Sequence, residues 1–347
     1  MQPLFQTYQR FRTLHSNKIT TLPIVILMPH SACNCKCVMC DIWKDNKNAK
    51  QLNEKDILGL LNALKKFNTK QVVMSGGEAL LNKNFFRLCR ILKNENIKIS
   101  ILSTGLLLQK NALDLLKWVD DIVVSLDGDE LLHDEIRRIP GAFNKLKEGI
   151  NYIHSINPTF KITARCVIHR LNFKQWPGII KSAEKIGLKQ ISFLPADVSS
   201  HAFNRQQTWD SIRQQEIALR KEDLPILQNT LDEIKKEFSG LFDNEFIAES
   251  PNKLQKIHEY YSAFHGLNEY PFKKCNAPWV STVIEADGNV RPCFFLPSFG
   301  NIHSNNLDEI LNNENAISFR KQLDTNFNET CKKCVCYLNL APTSSLS

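Results

Sequence analysis

Two groups of cysteines in this 347-residue chain have spacings that suit metal chemistry. The first group contains Cys33, Cys37 and Cys40, which are spaced C-x3-C-x2-C directly after an apolar run. Three thiolates in so short a loop can bind three corners of one iron–sulfur cubane. One iron of a four-iron cube then has no protein ligand, and it can bind a substrate or cosubstrate through nitrogen and oxygen. A zinc knuckle is the structural alternative, although structural zinc sites prefer four ligands in paired C-x2-C units.

The second group lies near the end of the chain and contains four cysteines: Cys275, Cys293, Cys331 and Cys334. An Asp287-Gly288 turn between the first two predicts a β-hairpin, and the last two form a C-x2-C pair. Four thiolates from a hairpin and a later loop can enclose a complete cubane, and the same set also suits a zinc ion. The spacing of this group alone leaves both metals open.

The composition indicates a folded protein with unusual cysteine usage. Eleven cysteines, an odd number, occur in a chain with no visible export signal, which argues against a disulfide framework. We expect Cys89 and Cys166 to be small buried hydrophobic residues. The net charge of +8 is spread along the chain, so we expect a solvated surface and no nucleic-acid partner. No apolar run is long enough for a membrane helix, and we expect a cytoplasmic protein without membrane contact.

The elements that must position the first cysteine group alternate between short apolar runs and longer amphipathic stretches. The apolar runs predict six strands, over residues 23–28, 71–74, 98–102, 121–125, 161–168 and 190–194. The stretches between them have helical spacing, and Asn53 is a predicted helix N-cap. Right-handed crossovers place the carboxyl ends of all six parallel strands at one edge, where such sheets bind ligands.

The first cysteine group resembles the signature of the radical S-adenosylmethionine (SAM) enzymes. Cys33, Cys37 and Cys40 match the family pattern C-x3-C-x-Φ-C, with Met39 at the Φ position that lies beside the adenine in that family. The resemblance implies a [4Fe-4S] cluster bound by three cysteines, with SAM as an exchangeable ligand. Cys35 is an additional thiol inside the loop.

A glycine-rich segment after the second predicted strand carries the resemblance further. Gly76, Gly77 and Glu78 match the GGE segment that lies at the methionine end of SAM in that family, although Ala79 follows where the family often has proline. Glycines let the backbone approach a ligand closely, and the Glu78 carboxylate can accept hydrogen bonds from the methionine ammonium group.

Three further residues on the same sheet edge are candidates for contact with SAM. By resemblance, Ser125 and Asp127 at the end of the fourth strand contact the cosubstrate, and Arg165 on the fifth pairs with the methionine carboxylate. The alternative is structural, because Ser-x-Asp-Gly is also favourable turn chemistry and a strand arginine can serve a salt bridge.

The second cysteine group resembles the auxiliary-cluster extensions of the same superfamily, called SPASM and twitch. The short twitch type fits best, which implies one auxiliary [4Fe-4S] cluster with all four irons ligated by the four cysteines of the second group. The implied fold is α/β. A partial (β/α)6 barrel of parallel strands occupies residues 1–196, a helical connector follows over 197–270, and a small α+β cluster-binding domain with a β-hairpin occupies 271–347.

The activity implied by the resemblance is that of a radical SAM oxidoreductase-type enzyme. A reductant such as flavodoxin or ferredoxin supplies an electron, SAM is cleaved to a 5′-deoxyadenosyl radical, and this radical abstracts a hydrogen atom from the substrate. An auxiliary cluster can accept the electron left on the substrate, which favours a net oxidation, and a rearrangement or epimerisation stays open. A non-catalytic iron–sulfur electron carrier is the alternative from another class.

The expected substrate is a small molecule such as a sugar, a cyclitol or a tetrapyrrole. A maturase of a ribosomally made peptide or protein is the alternative, which the 32 residues before Cys33 disfavour because a fused leader-peptide recognition domain needs more chain. The loop that leaves the sixth strand carries the candidate substrate contacts His201, Asn204 and Arg205. An ordinary surface role for His201 is equally consistent with the sequence.

Overall fold

The computed structural model of the chain describes residues 4–203, 205 and 207–344, and these form nine strands of one sheet. The strands are β1 (Ile24–His30), β2 (Gln71–Gly76), β3 (Lys98–Ser103), β4 (Asp121–Ser125), β5 (Lys161–Ile168), β6 (Ile191–Pro195), β7 (Ser281–Ile284), β8 (Asn289–Arg291) and β9 (Gly300–Asn301). Strands β1 to β6 are parallel neighbours in chain order, which confirms the partial (β/α)6 barrel.

Helices connect the parallel strands and surround them. In the described part of the chain they are α1 (Leu4–Ser16), α2 (Glu54–Lys66), α3 (Phe85–Lys93), α4 (Leu108–Trp118), α5 (Glu130–Arg137), α6 (Ala142–Ile156), α7 (Trp176–Lys185), α8 (Ser211–Ile217), α9 (Leu224–Glu237), α10 (Ser239–Asp243), α11 (Pro251–Phe264), α12 (Ala277–Val280), α13 (Leu307–Asn312), α14 (Glu314–Gln322) and α15 (Glu329–Lys332). Short 3-10 helices cover Ile42–Asn48, Ala79–Leu81, Phe173–Gln175 and Lys221–Asp223. No helix among these is long and apolar enough to cross a membrane.

The six predicted strands agree with the observed ones to within two residues at each end. Asn53 caps α2 as expected, because its side chain accepts a hydrogen bond from the Lys55 amide at 2.8 Å while Asp56 bonds back to the Asn53 amide at 2.7 Å. Cys89 and Cys166 are fully buried in the core, as expected. Helix α5 was not predicted, since an element this short shows little periodicity.

The C-terminal hairpin extends the barrel sheet instead of forming a separate one. Strand β7 pairs in parallel with β1, and β8 and β9 follow it in antiparallel order. Leu27 on β1 therefore has Met74 of β2 on one side and Ile284 of β7 on the other. Both cysteine groups are therefore attached to one sheet. The strands on the two sides of the expected domain boundary near residue 271 pair with each other.

A matched pair of glycine substitutions tests the close packing at the start of the site. A Cβ atom on Gly77 would lie 2.1 Å from the carbonyl oxygen of Ala32, whereas a Cβ on Gly59 in α2 would meet nothing within 4 Å. We expect Gly77→Ala to lower the free energy of unfolding by about 1–3 kcal/mol. Gly59→Ala should raise it by about 0.5–1 kcal/mol. Urea unfolding of the metal-free proteins checks both, and a destabilisation of equal size at the two positions would contradict the packing described.

Candidate functional site

The cysteines of the first group line a cavity of about 220 Å³ at the carboxyl edge of the parallel strands. Four residues that were expected to contact SAM lie in the same wall: Met39, Gly76, Gly77 and Ser125. These residues end β2 and β4 or follow β1 and β2, and they lie together because the carboxyl ends of parallel strands share one edge of the sheet. The structure thus brings the cysteine loop and the glycine segment together around one space.

Glu78 lies behind this wall and has protein partners of its own. Its carboxylate is fully buried and accepts hydrogen bonds from the Thr104 amide and hydroxyl at 2.7 Å and from the Ser103 hydroxyl at 3.1 Å. Burial raises the pKa of Glu78, while the bonds from Thr104 and other neighbours oppose this shift. Glu78 therefore fixes the end of β3 against the glycine segment, and its contact with the methionine ammonium stays a prediction.

Asp127 was also expected to contact SAM and also lies behind the wall. Its carboxylate is fully buried, accepts a hydrogen bond from the Val167 amide at 3.0 Å, and pairs with the Arg137 guanidinium. Arg137 lines the 220 Å³ cavity and donates to the Cys37 sulfur at 3.3 Å. Asp127 therefore acts on the site through Arg137, because it holds a positive charge against the cysteine loop.

Sequence reasoning missed Arg137, which ends the unpredicted helix α5. The last turn of this helix also holds the cysteine loop by its backbone: the Lys36 amide donates to the Arg137 carbonyl and the Val38 amide to the Ile136 carbonyl, both at 3.0 Å. The available signal was Asp129, whose side chain caps the helix by accepting from the Leu132 amide at 3.1 Å.

The thiols of the first group differ in their readiness to lose a proton. A hydrogen bond from Cys35 and the charge of Arg137 lower the pKa of Cys37 to about 6, against its burial. Burial raises the pKa of Cys40 to about 12. The pKa of Cys35 is raised because its thiol is hydrogen-bonded to Cys33 and Cys37. A thiolate beside a guanidinium that has an unpartnered, buried Nε suits an anionic iron–sulfur cluster, so these residues fit the implied group.

The cysteines of the second group line a second cavity, together with Cys336. Lys273 also lines it, and its ammonium donates to the Lys332 carbonyl at 2.7 Å and to the Cys334 carbonyl. Burial lowers the pKa of Lys273 to about 8, although the neighbouring thiols oppose this shift. Among the described residues, no three His, Cys, Asp or Glu side chains are grouped tightly enough to hold a single metal ion. Four thiols line this space and the Lys273 cation holds the C-x2-C loop. This arrangement suits an anionic iron–sulfur cluster, as at the first cysteine group.

A third cavity of about 800 Å³ adjoins the other two. It shares Ser75, Gly76 and Phe203 with the 220 Å³ cavity, and it shares Phe295 and Cys336 with the cavity of the second cysteine group. His201, Arg205 and Arg165 all line it, whereas Asn204 lies outside the described residues. Arg165 lines the large cavity, next to Ser125 of β4, which lines the small one, and its pairing with the methionine carboxylate stays a prediction.

The loop after β6 is fastened to the cysteine loop through aromatic and charged contacts. Arg205 is buried, pairs with Asp197 at 2.8 Å, and stacks 3.8 Å from the centre of the Trp209 ring. The Trp209 indole in turn donates to the Asp41 carboxylate at 2.7 Å, directly after Cys40. Arg205 therefore forms part of the cavity wall with its charge already paired.

Comparison with known proteins agrees with this geometry. Residues 27–183 match the family model of the radical SAM superfamily, and residues 275–335 match the SPASM iron–sulfur cluster-binding domain. The chain therefore carries a radical SAM domain and a C-terminal SPASM extension. These two matches imply [4Fe-4S] clusters and SAM as its cofactors.

Individual relatives differ in what they act on. Fe-coproporphyrin III synthase of Methanosarcina barkeri is 26% identical over 174 residues, which are 49% of this chain and 43% of that protein. The chain thus spans under half the length of that relative. AdoMet-dependent heme synthase of the same organism is 24% identical over 88% of this chain and 86% of its own length. The crystal structure of Streptococcus suis SuiB bound to S-adenosylmethionine has the same fold, with a TM-score of 0.65 at 15% identity over 94% of this chain and 75% of that chain.

Iron content distinguishes the ligand thiols from the additional thiol of the loop. If Cys33, Cys37 and Cys40 hold one cluster and the second cysteine group another, the reconstituted chain carries about eight irons. We expect Cys37→Ala to carry about four irons and Cys35→Ala to retain about eight, since Cys35 stays a protonated hydrogen-bond donor. Iron analysis after anaerobic reconstitution measures both, and a loss of cluster in Cys35→Ala would assign that thiol to the ligand set.

Two buried histidines beneath the first site make folding sensitive to acid. Burial lowers the pKa of His133 and of His169 to about 4 each, below their ordinary value. As the pH falls from about 6.5 to about 4, the unfolded chain takes up these protons first, so stability present above this window is lost within it. We expect a slope of up to about 1.4 kcal/mol per pH unit for each histidine.

Urea unfolding of the metal-free protein at several pH values measures this slope. His133→Gln should make the dependence shallower, because the variant has one buried titratable ring fewer. The same slope in wild type and variant would show that His133 does not contribute.

Proposed function

We propose that this chain is a radical SAM enzyme that carries out a net oxidation or rearrangement of a small molecule bound in the 800 Å³ cavity. The observation that carries the proposal is that the large cavity shares wall residues with both cysteine sites. It shares Ser75, Gly76 and Phe203 with the cavity of the first cysteine group, and Phe295 and Cys336 with that of the second. A substrate there would have the SAM site on one side and the auxiliary site on the other.

In this proposal the first cysteine group holds the cluster that binds SAM. The cluster and SAM together supply one-electron chemistry that can remove a hydrogen atom from an unactivated C–H bond. Arg137 keeps a positive charge beside Cys37 and Asp127 keeps that charge in place. Because Gly77 has no side chain, its backbone can approach the ligand closely. Glu78 holds this segment against the end of β3.

The second cysteine group holds the auxiliary cluster in this proposal. Lys273 fixes the C-x2-C loop by binding two of its carbonyl oxygens. The position of this group at the wall of the large cavity supports a role in removing an electron from the substrate, which favours a net oxidation. Electron transfer to a partner without a substrate would need no such cavity between the two sites, and for this reason we place the electron-carrier alternative second.

The size of the large cavity supports a small molecule over a long peptide. Its volume of about 800 Å³ lies in the usual range for small-molecule and cofactor sites, roughly 300–1,000 Å³. The heme synthase that aligns with most of this chain is named for a tetrapyrrole product, which supports the tetrapyrrole class among the expected substrates. A peptide maturase remains the second candidate, and a peptide could enter the cavity by one side chain.

Reductive cleavage of SAM in the absence of substrate tests the function. After anaerobic reconstitution and reduction by dithionite or reduced flavodoxin, we expect the wild-type chain to form 5′-deoxyadenosine. Cys37→Ala should form none, because the cluster that binds SAM is lost, whereas Cys35→Ala serves as the matched thiol control and should retain product formation. Chromatography of the quenched reaction gives the readout, and wild-type product formation in Cys37→Ala would overturn the proposal.

The two clusters have separable roles in the same assay. Cys331→Ala should still cleave some SAM without coupling, since the first site is intact, but it should not turn over a substrate. A Cys331→Ala variant that converts substrate at the wild-type rate would remove the auxiliary site from the reaction.

A further inference from the structure

The first helix, α1, packs on the protein through polar side chains. Its buried residues are Arg10 and Thr13. The Arg10 guanidinium donates to the carbonyl oxygens of Ala341 at 2.6 Å and Ser344 at 2.8 Å. The Thr13 hydroxyl lies 2.9 Å from that of Thr20. A surface helix ordinarily turns its apolar side inward, so α1 has the reverse arrangement.

The opposite side of α1 carries an exposed apolar patch. Four residues form this N-terminal apolar patch, and they are between 50% and 89% exposed: Leu4, Phe5, Tyr8 and Phe11. At about 3.6 residues per turn they lie within roughly 120° of the helix circumference. With three aromatic rings the patch presents roughly 500–600 Å² of surface. This is at the upper end of what a monomeric protein exposes in one patch, about 300–600 Å², and patches of that size mark interaction surfaces.

The segment that carries the patch contains cations and no acidic residue. Residues 1–40 include no aspartate or glutamate, and Asp41 is the first acidic residue of the chain. Arg12 lies on the exposed side of α1 and Lys18 follows the helix. Both are exposed, and neither forms an ion pair with another described residue. An apolar patch beside unpaired cations matches a bilayer that contains anionic lipid, because rings enter the boundary between headgroups and acyl chains while cations stay with the phosphates.

We propose that α1 binds the surface of an anionic membrane, with the N-terminal apolar patch in this boundary and Arg12 and Lys18 at lipid phosphates. The inference goes beyond the proposed function. It concerns contact with one face of a bilayer and not a spanning helix, which the described part of the chain lacks. The expectation of no membrane contact came from the lack of a long apolar run, which does not bear on a short interfacial helix.

A second copy of the chain is the alternative occupant, and the patch is small for that role. A stable protein–protein interface buries about 800 Å² on each partner, which is more than the patch presents. A symmetric pair would also bring together two helices that carry cations and no acidic side chain. An anionic bilayer has neither difficulty, because it takes up a small apolar footprint and attracts the cations.

Sedimentation with sucrose-loaded vesicles tests the proposal on the reconstituted full chain. Vesicles of phosphatidylcholine alone are compared with vesicles in which about a third of the lipid is phosphatidylglycerol. We expect the chain to bind the anionic vesicles at least about 10-fold more tightly than the neutral ones. High salt should reduce this preference, because it screens the attraction between the cations and the lipid phosphates.

Two matched pairs of variants locate the binding surface. Phe5 is 66% exposed on α1 and Leu113 is 68% exposed on α4. We expect Phe5→Gln to weaken binding to anionic vesicles by about 5- to 30-fold, because a ring is lost from the boundary, whereas Leu113→Gln should bind like wild type. Arg12→Gln should weaken binding by about 5-fold. Arg87→Gln on the exposed side of α3 is its control and should match wild type.

All four variants alter exposed side chains, so iron content, the unfolding midpoint and 5′-deoxyadenosine formation without vesicles should equal those of wild type. Failure of wild type to sediment with anionic vesicles would overturn the proposal, and so would equal binding by wild type and Phe5→Gln. Sedimentation equilibrium without lipid examines the second copy: a dimer that Phe5→Gln dissociates would assign the patch to self-association and overturn the membrane assignment, whereas a monomer agrees with it.

The membrane proposal and the proposed function can fail separately, because vesicle binding involves no SAM. A chain that binds anionic vesicles through Phe5 but forms no 5′-deoxyadenosine would refute the proposed function and leave the membrane surface standing. The reverse outcome would refute the membrane surface alone.

Discussion

A buried ion pair between Arg137 and Asp127 holds the first site together. Removing two such charges from water costs several kcal/mol per ion, so the pair is stable only with further hydrogen bonds. Arg137 supplies one to the Cys37 sulfur, and Asp127 accepts another from the Val167 amide. Since the backbone of the same helix turn also holds the Val38 amide, the pair joins the cysteine loop to strands β4 and β5. The position of the thiols therefore depends on groups distant in the sequence.

The pairing of β7 with β1 extends this arrangement to the second site. Because the C-terminal hairpin continues the barrel sheet, the second cysteine group is held at a fixed place beside the ends of the parallel strands. The large cavity is lined by both parts of the chain, with Arg165 from the barrel and Arg291 from the hairpin. Phe295 and Cys336 are common to its wall and to that of the auxiliary cavity. The space for a substrate is thus a product of the whole fold.

Local patterns in the sequence predicted the elements, and tertiary contacts decided the rest. Apolar runs and the Asn53 cap are short-range signals, and the structure follows them closely. The partners of Glu78 come from the end of β3. The motif that contains Glu78 therefore could not show that its carboxylate accepts hydrogen bonds from Thr104. Similarly, the chain position of Arg165 does not reveal which of two adjoining cavities it faces. The cysteine spacing predicted both groups because a cluster ligand set is itself a short-range pattern.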